Sequence, residues 1–149
     1  MRAVIQRVSE AEVKVDGVIV GQIRDGLLIY QGVTHEDESE DVQWLAKKCM
    51  DLRIFPDDEG KMNRSIQDIG GHVLVVSQFT LHAKTKKGTR PSFIHAAGPD
   101  VAQPLYQEFI DEFRSSGIRT ESGVFGAHMH VESVNDGPVT IIIDTRAKE

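Results

Sequence analysis

The sequence contains one cysteine, Cys49, and no apolar run that approaches the roughly 20 residues of a membrane-spanning helix. A single thiol cannot form an intrachain disulfide, which excludes a disulfide scaffold and suits a reducing compartment. The opening residues, Met1 to Arg7, turn polar too early for the apolar core of a secretory signal. We therefore expect a cytoplasmic protein that does not enter a membrane.

Several common catalytic motifs are absent as well. The chain has neither of the glycine-rich phosphate-binding patterns, G-x-x-x-x-G-K-[S/T] and G-x-G-x-x-G, and no H-E-x-x-H zinc motif. A G-x-S-x-G nucleophile elbow is also missing. His128 and His130 share one face of a predicted strand, but no third ligand lies near them, so a surface or interface pair is favoured over a metal site. We expect neither a metal nor a cofactor.

The composition is that of one ordinary globular domain. The 149 residues are 40% hydrophobic and 27% charged, with a formal net charge of -6. A chain of this length buries about two-thirds of its unfolded surface, and no repeat or linker divides it, so we predict a single domain over 1–149. The acidic total argues against a general DNA-coating protein, although it leaves room for a local basic site.

Strands are predicted at both ends of the chain. Residues 2–8 are predicted as a strand, and Ala11, Val13 and Val15 then alternate with polar residues, as in a half-buried strand. The turn signals Asp16-Gly17 and Asp25-Gly26 follow, so the first 33 residues are expected to be strands. A short strand is expected at 53–55. The continuous apolar run 72–76 predicts a strand covered on both faces. The tail is predicted as strand 128–134, a turn at 135–138 and strand 139–144.

Two helices are predicted between these strands. The first contains apolar residues at helical spacing over 42–49 and follows the acidic stretch 35–40, which we interpret as a solvated helix start. The second is predicted from Asp100 to Ser116, with Pro104 in its first turn and Gly117 as its C-cap. Its predicted apolar stripe contains Val101, Leu105, Phe109 and Phe113, with Ala102 and Tyr106 beside it. The fold class is therefore α/β, a layered sandwich of mixed or antiparallel sheets with both helices on one side.

The segment Ser77-Gln78-Phe79-Thr80-Leu81 places polar side chains directly after the buried strand. Backbone N–H groups exposed at a strand exit can stabilise an oxyanion, and the alternative is a polar strand end that satisfies its own backbone. Thr80 is a candidate nucleophile or water activator, but the sequence places no base beside it.

The segment 135–140, Asn-Asp-Gly-Pro-Val-Thr, also has two interpretations. A hairpin turn is the simpler one. Against it, Pro138 removes a hydrogen-bond donor from the incoming strand, and a cis Gly137–Pro138 bond would aim two carbonyls in parallel.

A third segment, 84–90, is basic, with cations at Lys84, Lys86, Lys87 and Arg90. It is either a solvated loop or a patch that binds nucleic-acid phosphates.

Taken together, these segments resemble the D-aminoacyl-tRNA deacylase family, also called D-tyrosyl-tRNA deacylase. The resemblance begins at M-R-A-V-I-Q-R-V-S and includes S-Q-F-T-L, K-G-T-R-P-S-F, S-G-V-F-G-A-H-M and N-D-G-P-V-T, so it covers essentially the whole chain. The departures are Ser122, where Thr is expected, and His128, where an acidic residue or Met is common.

The resemblance implies a cytoplasmic homodimer that hydrolyses the ester of D-aminoacyl-tRNA and releases the free D-amino acid and tRNA. It implies active sites at the subunit interface, where Gly137 and Pro138, joined by a cis peptide bond, enter the partner's pocket and exclude L side chains by clash. Glycine has no side chain to clash, so glycyl-tRNA(Ala) is an implied second substrate.

The same resemblance implies roles for individual residues. Ser77, Gln78, Phe79 and Thr80 line the scissile ester, with the N–H of Phe79 or Thr80 as the oxyanion donor. Ala102, Phe125 and Met129 line the pocket for the amino acid and the terminal adenosine. The basic loop, Lys84, Lys86, Lys87 and Arg90, is a candidate contact for the tRNA acceptor stem.

Two mechanisms and two other functions stay open at this point. Thr80 is a nucleophile, or the neighbouring 2′-hydroxyl of the tRNA assists water; the missing base favours the second mechanism. The other functions are a non-catalytic nucleic-acid-binding dimer and a hydrolase of another small ester with Thr80 as its nucleophile.

Overall fold

A computed structural model describes the whole chain from Met1 to Glu149. The elements follow one another as β1 (Arg2–Val15), β2 (Val18–Ile23), β3 (Gly26–Gly32), α1 (Ser39–Asp51), β4 (Phe55–Pro56), β5 (Met62–Arg64), β6 (His72–Ser77), a 3-10 turn (Phe79–His82), α2 (Pro99–Ser115), β7 (Thr120–Ser122) and β8 (His130–Asp144). None of the helices has the length and the apolar character needed to cross a membrane.

Six of the strands form one mixed sheet in the order β2-β1-β3-β6-β7, with β8 paired to β1. β1 is antiparallel to β2, β3 and β8, whereas β3, β6 and β7 are parallel to one another. The first half of β1 lies beside β3 and its second half beside β2, so this long strand joins two parts of the sheet. The strands predicted for the N-terminal region and the mixed sheet are confirmed.

Both helices pack on one face of this sheet, as predicted. The larger core cluster joins alternate residues of the central strands, such as Ile29 and Val75, to apolar residues of both helices, such as Leu45 and Phe109. Cys49 is fully buried in this cluster, and burial raises the pKa of its thiol far above the ordinary value, which makes it an inert core residue.

The opposite face of the central strands is covered by the sheet itself. A second cluster joins Leu28 and Leu74 to Val8, Val13 and Ile23, so β2 and the second half of β1 curl over the centre of the sheet. Gly21 in β2 lies so close to β7 that an added Cβ would stand 2.6 Å from the Ser122 carbonyl oxygen. The prediction that the 72–76 strand is covered on both faces is confirmed.

The acidic stretch before α1 is not wholly solvated, which corrects the sequence interpretation. Asp37 is buried, accepts a hydrogen bond from the Thr34 N–H at 2.8 Å and pairs with the Met1 ammonium group at 2.7 Å. Glu38 is the N-cap, and a reciprocal capping box with Asp41 closes the first turn. A buried carboxylate requires such partners, because an unpaired one carries a large desolvation cost.

The second helix also departs from its prediction. α2 begins at Pro99, after the N-cap Gly98, so Pro104 lies inside the helix rather than in its first turn. Val101 and Leu105 are only half-buried, and the buried face is formed by Ala102, Tyr106, Phe109, Ile110 and Phe113. Gly117, with φ at +80°, ends the helix as predicted.

The C-terminal tail is one strand and not a hairpin, which also corrects the prediction. β8 runs from His130 to Asp144, and it pairs with β1 both before and after the segment 136–139. Gln6 lies opposite Thr140 and Val8 opposite Asn135, so these four residues bulge out opposite Arg7 alone. The expected 53–55 strand is shifted to the two residues of β4.

Candidate active site

The segment after β6 leaves the sheet in a way that frees backbone donors. The Gln78 N–H donates to the Gln31 carbonyl at 2.8 Å and holds the segment beside the end of β3. The first hydrogen bond of the following turn runs from the Leu81 N–H to the Gln78 carbonyl at 3.3 Å. Because the N–H groups of Phe79 and Thr80 precede that bond, neither has a partner within the turn.

A cavity of about 470 Å³ opens beside this segment and is lined mostly by apolar side chains. It brings together six of the predicted site residues, which come from three separate parts of the chain: Ser77, Gln78, Phe79, Ala102, Phe125 and Met129. A cavity of this size and apolar character is typical of small-molecule sites.

Tyr106 of α2 braces the wall of this cavity. Its hydroxyl donates to the Val75 carbonyl at 2.9 Å, and its ring lies 5.7 Å from the ring of Phe125. Burial raises the pKa of Tyr106 to about 12, so the phenol stays neutral and continues to donate its hydrogen bond to the carbonyl. The position of Phe125 therefore depends on a residue of the core that does not itself line the cavity.

Thr80 does not line the cavity, although its neighbours do. The Gln78 side-chain amide donates to the Thr80 hydroxyl oxygen at 2.5 Å. An amide donor cannot accept the hydroxyl proton, and the one titratable side chain in the lining is that of His128 at the exposed rim. His82, at the end of the turn, is buried, and this burial lowers its pKa. The one side-chain hydrogen bond of the Thr80 hydroxyl is therefore with the Gln78 amide, and no titratable side chain is bonded to it.

Gly137 and Pro138 lie apart from the cavity of their own chain. They form the exposed tip of the β8 bulge and are joined by a cis peptide bond. Two hydrogen bonds of Asn135, from its amide to Thr140 and from the Val139 N–H to its carbonyl oxygen, both at 3.2 Å, close the base of the bulge.

Arg7 supports this bulge from β1. Its Nε donates to the Asp136 carbonyl at 3.0 Å, and its NH1 donates to the Ile54 carbonyl at 2.6 Å. The sequence analysis missed Arg7. The available signal was a cation at the position that follows Ala3 and Ile5 on the same face of the strand, since a charge on a buried face needs acceptors nearby.

The basic loop is exposed and also lies outside the cavity lining. Its four cations, Lys84, Lys86, Lys87 and Arg90, are all exposed. Paired hydrogen bonds between Lys84 and Ser92, at 2.8 and 3.0 Å, close the base of the loop.

Other cavity residues were not singled out from the sequence. Val33, Ala97 and Pro99 line one side, and Gly126, Ala127 and His128 line another. The second group lies within the quoted segment S-G-V-F-G-A-H-M, and a run of small residues between two larger apolar ones was its signal. The rings of His128 and His130 meet edge to face with centroids 5.1 Å apart, and no third histidine, cysteine or carboxylate joins them.

Comparisons with known proteins identify the family of this chain. A sequence model of the family described as D-Tyr-tRNA(Tyr) deacylase matches residues 4–144. Curated relatives named D-aminoacyl-tRNA deacylase include one from Fusobacterium nucleatum, 57% identical over 98% of this chain and 97% of its own, and one from Opitutus terrae, 59% identical over the whole of both chains.

Two solved structures share the fold. One, described as a c-Myc DNA unwinding element binding protein, has a TM-score of 0.93 and 36% identity over 99% of this chain and 100% of its own. The other, a probable eukaryotic D-amino acid tRNA deacylase, has a TM-score of 0.82 and 20% identity over 95% of this chain and 97% of its own.

Proposed function

The chain belongs to the D-Tyr-tRNA(Tyr) deacylase family and is a D-aminoacyl-tRNA deacylase, a hydrolase, and from that premise we propose how its site works. The observation that carries the proposal is the cavity in which Ser77, Gln78 and Phe79 meet Ala102, Phe125 and Met129. The aminoacyl ester lies along the first three residues, and the other three hold the amino acid and the terminal adenosine. The reaction takes place in the cytoplasm and needs no cofactor or metal.

Hydrolysis requires stabilisation of the negative charge that develops on the ester carbonyl. A water molecule adds to the carbonyl carbon, the bond from that carbon to the 3′-oxygen breaks, and the 3′-oxygen takes a proton. The products are the D-amino acid and the tRNA. The N–H of Phe79 or of Thr80, neither of which has a partner within its turn, donates to the oxyanion.

The tRNA supplies the group that assists the water. No titratable side chain is hydrogen-bonded to Thr80, and its hydroxyl oxygen already accepts from Gln78. The 2′-hydroxyl of the terminal ribose is next to the ester and is held in place by the same binding contacts. Thr80→Ala is therefore expected to retain substantial deacylation, whereas a substrate with a 2′-deoxy terminal adenosine is expected to lose it. A Thr80→Ala protein that folds and binds tRNA but has lost its activity would refute this mechanism.

Selection against L-amino acids is assigned to Gly137 and Pro138 of a second subunit. The pair is exposed and does not line its own chain's cavity, so it has to reach a cavity in another copy. The active form is then a homodimer with a site at each interface. The pair rejects an L side chain by steric clash and leaves a D side chain free. Glycine has nothing to clash, so glycyl-tRNA(Ala) is also a substrate.

The primary test is deacylation of D-tyrosyl-tRNA and L-tyrosyl-tRNA, side by side, at low enzyme concentration. Rapid loss of the D ester with the L ester spared is the expected result.

The second candidate is a non-catalytic nucleic-acid-binding dimer. It is favoured by the name of one similar structure, a DNA unwinding element binding protein, and by the exposed basic loop. Binding of nucleic acid without turnover of either ester would support this candidate and refute the proposed reaction.

A further inference from the structure

Two exposed aromatic side chains lie at the mouth of the cavity. Phe79 is 54% exposed and Phe93 is 37% exposed, and their rings meet edge to face with centroids 5.1 Å apart. Phe79 lines the cavity and Phe93 does not, so the pair extends the apolar surface outward from the ester site. Neither ring is needed to fill the core, because neither belongs to a buried cluster.

The segment that carries Phe93 is fixed to the body of the protein. The Ala97 N–H donates to the Val33 carbonyl at 2.9 Å, and the Thr34 hydroxyl donates to the His95 carbonyl at 2.7 Å. These contacts hold the segment against the end of β3. Phe93 is therefore presented in a fixed position before any ligand binds.

The aromatic pair is continuous with the basic loop. The hydrogen bonds between Lys84 and Ser92 join the base of that loop to the residue next to Phe93. A loop with four exposed cations thus begins and ends next to Phe93, on a chain whose net charge is -6. Rings that stack on bases, next to cations that bind phosphates, are the combination by which proteins bind single-stranded nucleic acid.

We propose that Phe93, packed against Phe79, is a stacking platform for the unpaired nucleotides that precede the terminal adenosine of the tRNA. This inference rests on the proposed function, since it takes the adenosine and its ester to occupy the cavity. The nucleotide before the adenosine leaves the cavity over Phe79, its base stacks on the Phe93 ring, and its phosphate faces the basic loop.

The test compares two substrates, D-tyrosyl-tRNA and 3′-D-tyrosyl-adenosine, which has the ester but no preceding nucleotide. Phe93→Ala is expected to raise the KM for D-tyrosyl-tRNA by about ten- to one-hundredfold, the effect of losing one base–aromatic stack. The kcat is expected to stay unchanged, as are both constants for 3′-D-tyrosyl-adenosine. Phe93→Tyr keeps an aromatic face and is expected to restore the KM, whereas Phe93→Leu keeps apolar bulk and is not.

Ile94 provides the matched control, because it is the next residue, is 71% exposed and has no ring. Ile94→Ala is expected to leave KM and kcat unchanged for both substrates.

Three outcomes would contradict the proposal. An equal rise in KM for both substrates in Phe93→Ala would mean that Phe93 only shapes the cavity. An unchanged KM for D-tyrosyl-tRNA would mean that no base stacks on Phe93. A Phe93→Ala protein with an altered oligomeric state would assign the surface to a second copy. Each of these three outcomes overturns the platform, and a wild-type protein inactive on both substrates would instead refute the proposed function.

Discussion

Arg7 connects the β8 bulge to the body of the protein. Its side chain is 13% exposed and donates to carbonyls on both sides, Asp136 in the bulge and Ile54 in the loop before β4. Lysine keeps the charge but lacks the planar group that reaches two acceptors at once. Arg7→Lys is therefore expected to let the Gly137–Pro138 tip move. If that tip rejects L substrates, hydrolysis of L-tyrosyl-tRNA should rise by about ten- to one-hundredfold, the equivalent of one charge-assisted hydrogen bond.

Single-turnover deacylation measures this effect as the ratio of the hydrolysis rate of L-tyrosyl-tRNA to that of D-tyrosyl-tRNA. Arg24→Lys is the control, since Arg24 also lies in the sheet region but is 80% exposed and pairs only with Glu10, at 3.5 Å. It is expected to leave the ratio unchanged. If the ratio is also unchanged in Arg7→Lys, Arg7 does not contribute to the rejection of L substrates.

Tyr106 makes the stability of the protein depend on pH in the alkaline range. The phenol ionises near pH 10 in the unfolded chain, whereas burial raises its pKa to about 12 in the folded protein. Between these values the unfolded chain binds fewer protons than the folded one, so the free energy of unfolding falls as the pH rises; below pH 10 the contribution is fully present. Tyr106→Phe is expected to cost about 1 kcal/mol at neutral pH through its lost hydrogen bond and to make the alkaline decline shallower.

Denaturant unfolding at several pH values from 7 to 12 checks this expectation. Burial also raises the pKa of Tyr30, but no hydrogen bond of its hydroxyl is found. Tyr30→Phe should therefore retain most of the decline that Tyr106 causes. The same slope in wild type and in Tyr106→Phe would show that this phenol does not control alkaline stability.

Pro104 removes one backbone hydrogen bond from the interior of α2. As the sixth residue of the helix it has no N–H to donate to the Asp100 carbonyl, and its side chain is exposed. A proline inside a helix costs up to about 3 kcal/mol relative to alanine. Pro104→Ala is expected to raise the free energy of unfolding by about 1–3 kcal/mol in urea titrations. Gln103→Ala, at the neighbouring exposed position, should change it by less than about 0.5 kcal/mol. A destabilised Pro104→Ala protein would mean that the ring has a packing role.

The basic loop is expected to act through charge alone. Replacing Lys86 and Lys87 with alanine removes two exposed cations and leaves the Lys84–Ser92 closure of the loop in place. If the loop binds tRNA phosphates, affinity falls and the slope of log K against log salt becomes shallower by about 1 for each lysine. Filter binding over a range of salt concentrations measures this slope. The control replaces Lys47 and Lys61, whose partners are Asp51 and Glu59, and an equal change there would show only a general charge effect.

The elements were predictable where one local signal dominated. The alternation over 11–15 in β1, the helical spacing in α1 and the apolar run of β6 are each produced by burial of a regular face. Each pattern is therefore sufficient to predict its own element. β8 was predicted wrongly because Asn-Asp-Gly-Pro is a local turn signal, and only pairing with β1 on both sides of it makes a bulge. Asp37 was misjudged for a similar reason, since its partner, the Met1 ammonium group, lies 36 residues away in sequence. The cavity depends on contacts between 77–79, 102 and 125–129 that no single segment encodes.

At the scale of the whole molecule, the single chain leaves surfaces that a second copy would complete. β8 is paired on one side only, and along it Val134 and Ile142 are 49% and 72% exposed. A long edge strand that exposes apolar side chains and has no partner favours association. The Gly137–Pro138 tip lies on this same strand, away from its own cavity. If the Gly137–Pro138 pair is the proposed filter, it has to act on the cavity of a second subunit, and mixed dimers can test this.

Two variants separate the cavity from the filter. Ala102→Phe fills the cavity of its own chain, and Pro138→Gly removes the proposed filter. A Pro138→Gly dimer is expected to hydrolyse both D- and L-tyrosyl-tRNA, and an Ala102→Phe dimer neither. When the two variants are refolded together with the Ala102→Phe chain in excess, most Pro138→Gly chains pair with an Ala102→Phe chain. The unfilled cavity of the Pro138→Gly chain, called the open cavity, then faces the intact Gly137–Pro138 pair of its Ala102→Phe partner. Hydrolysis of the L ester should therefore fall while hydrolysis of the D ester persists for each open cavity.

The control replaces the blocked partner with the double variant Ala102→Phe and Pro138→Gly, which dimerises but supplies no filter. L-ester hydrolysis should then persist, because neither subunit can exclude the substrate. If L-ester hydrolysis per open cavity is the same with either partner, the Gly137–Pro138 pair does not act on the neighbouring site. Selectivity would then have to come from residues that line the chain's own cavity, and the exposed tip on β8 would need another explanation.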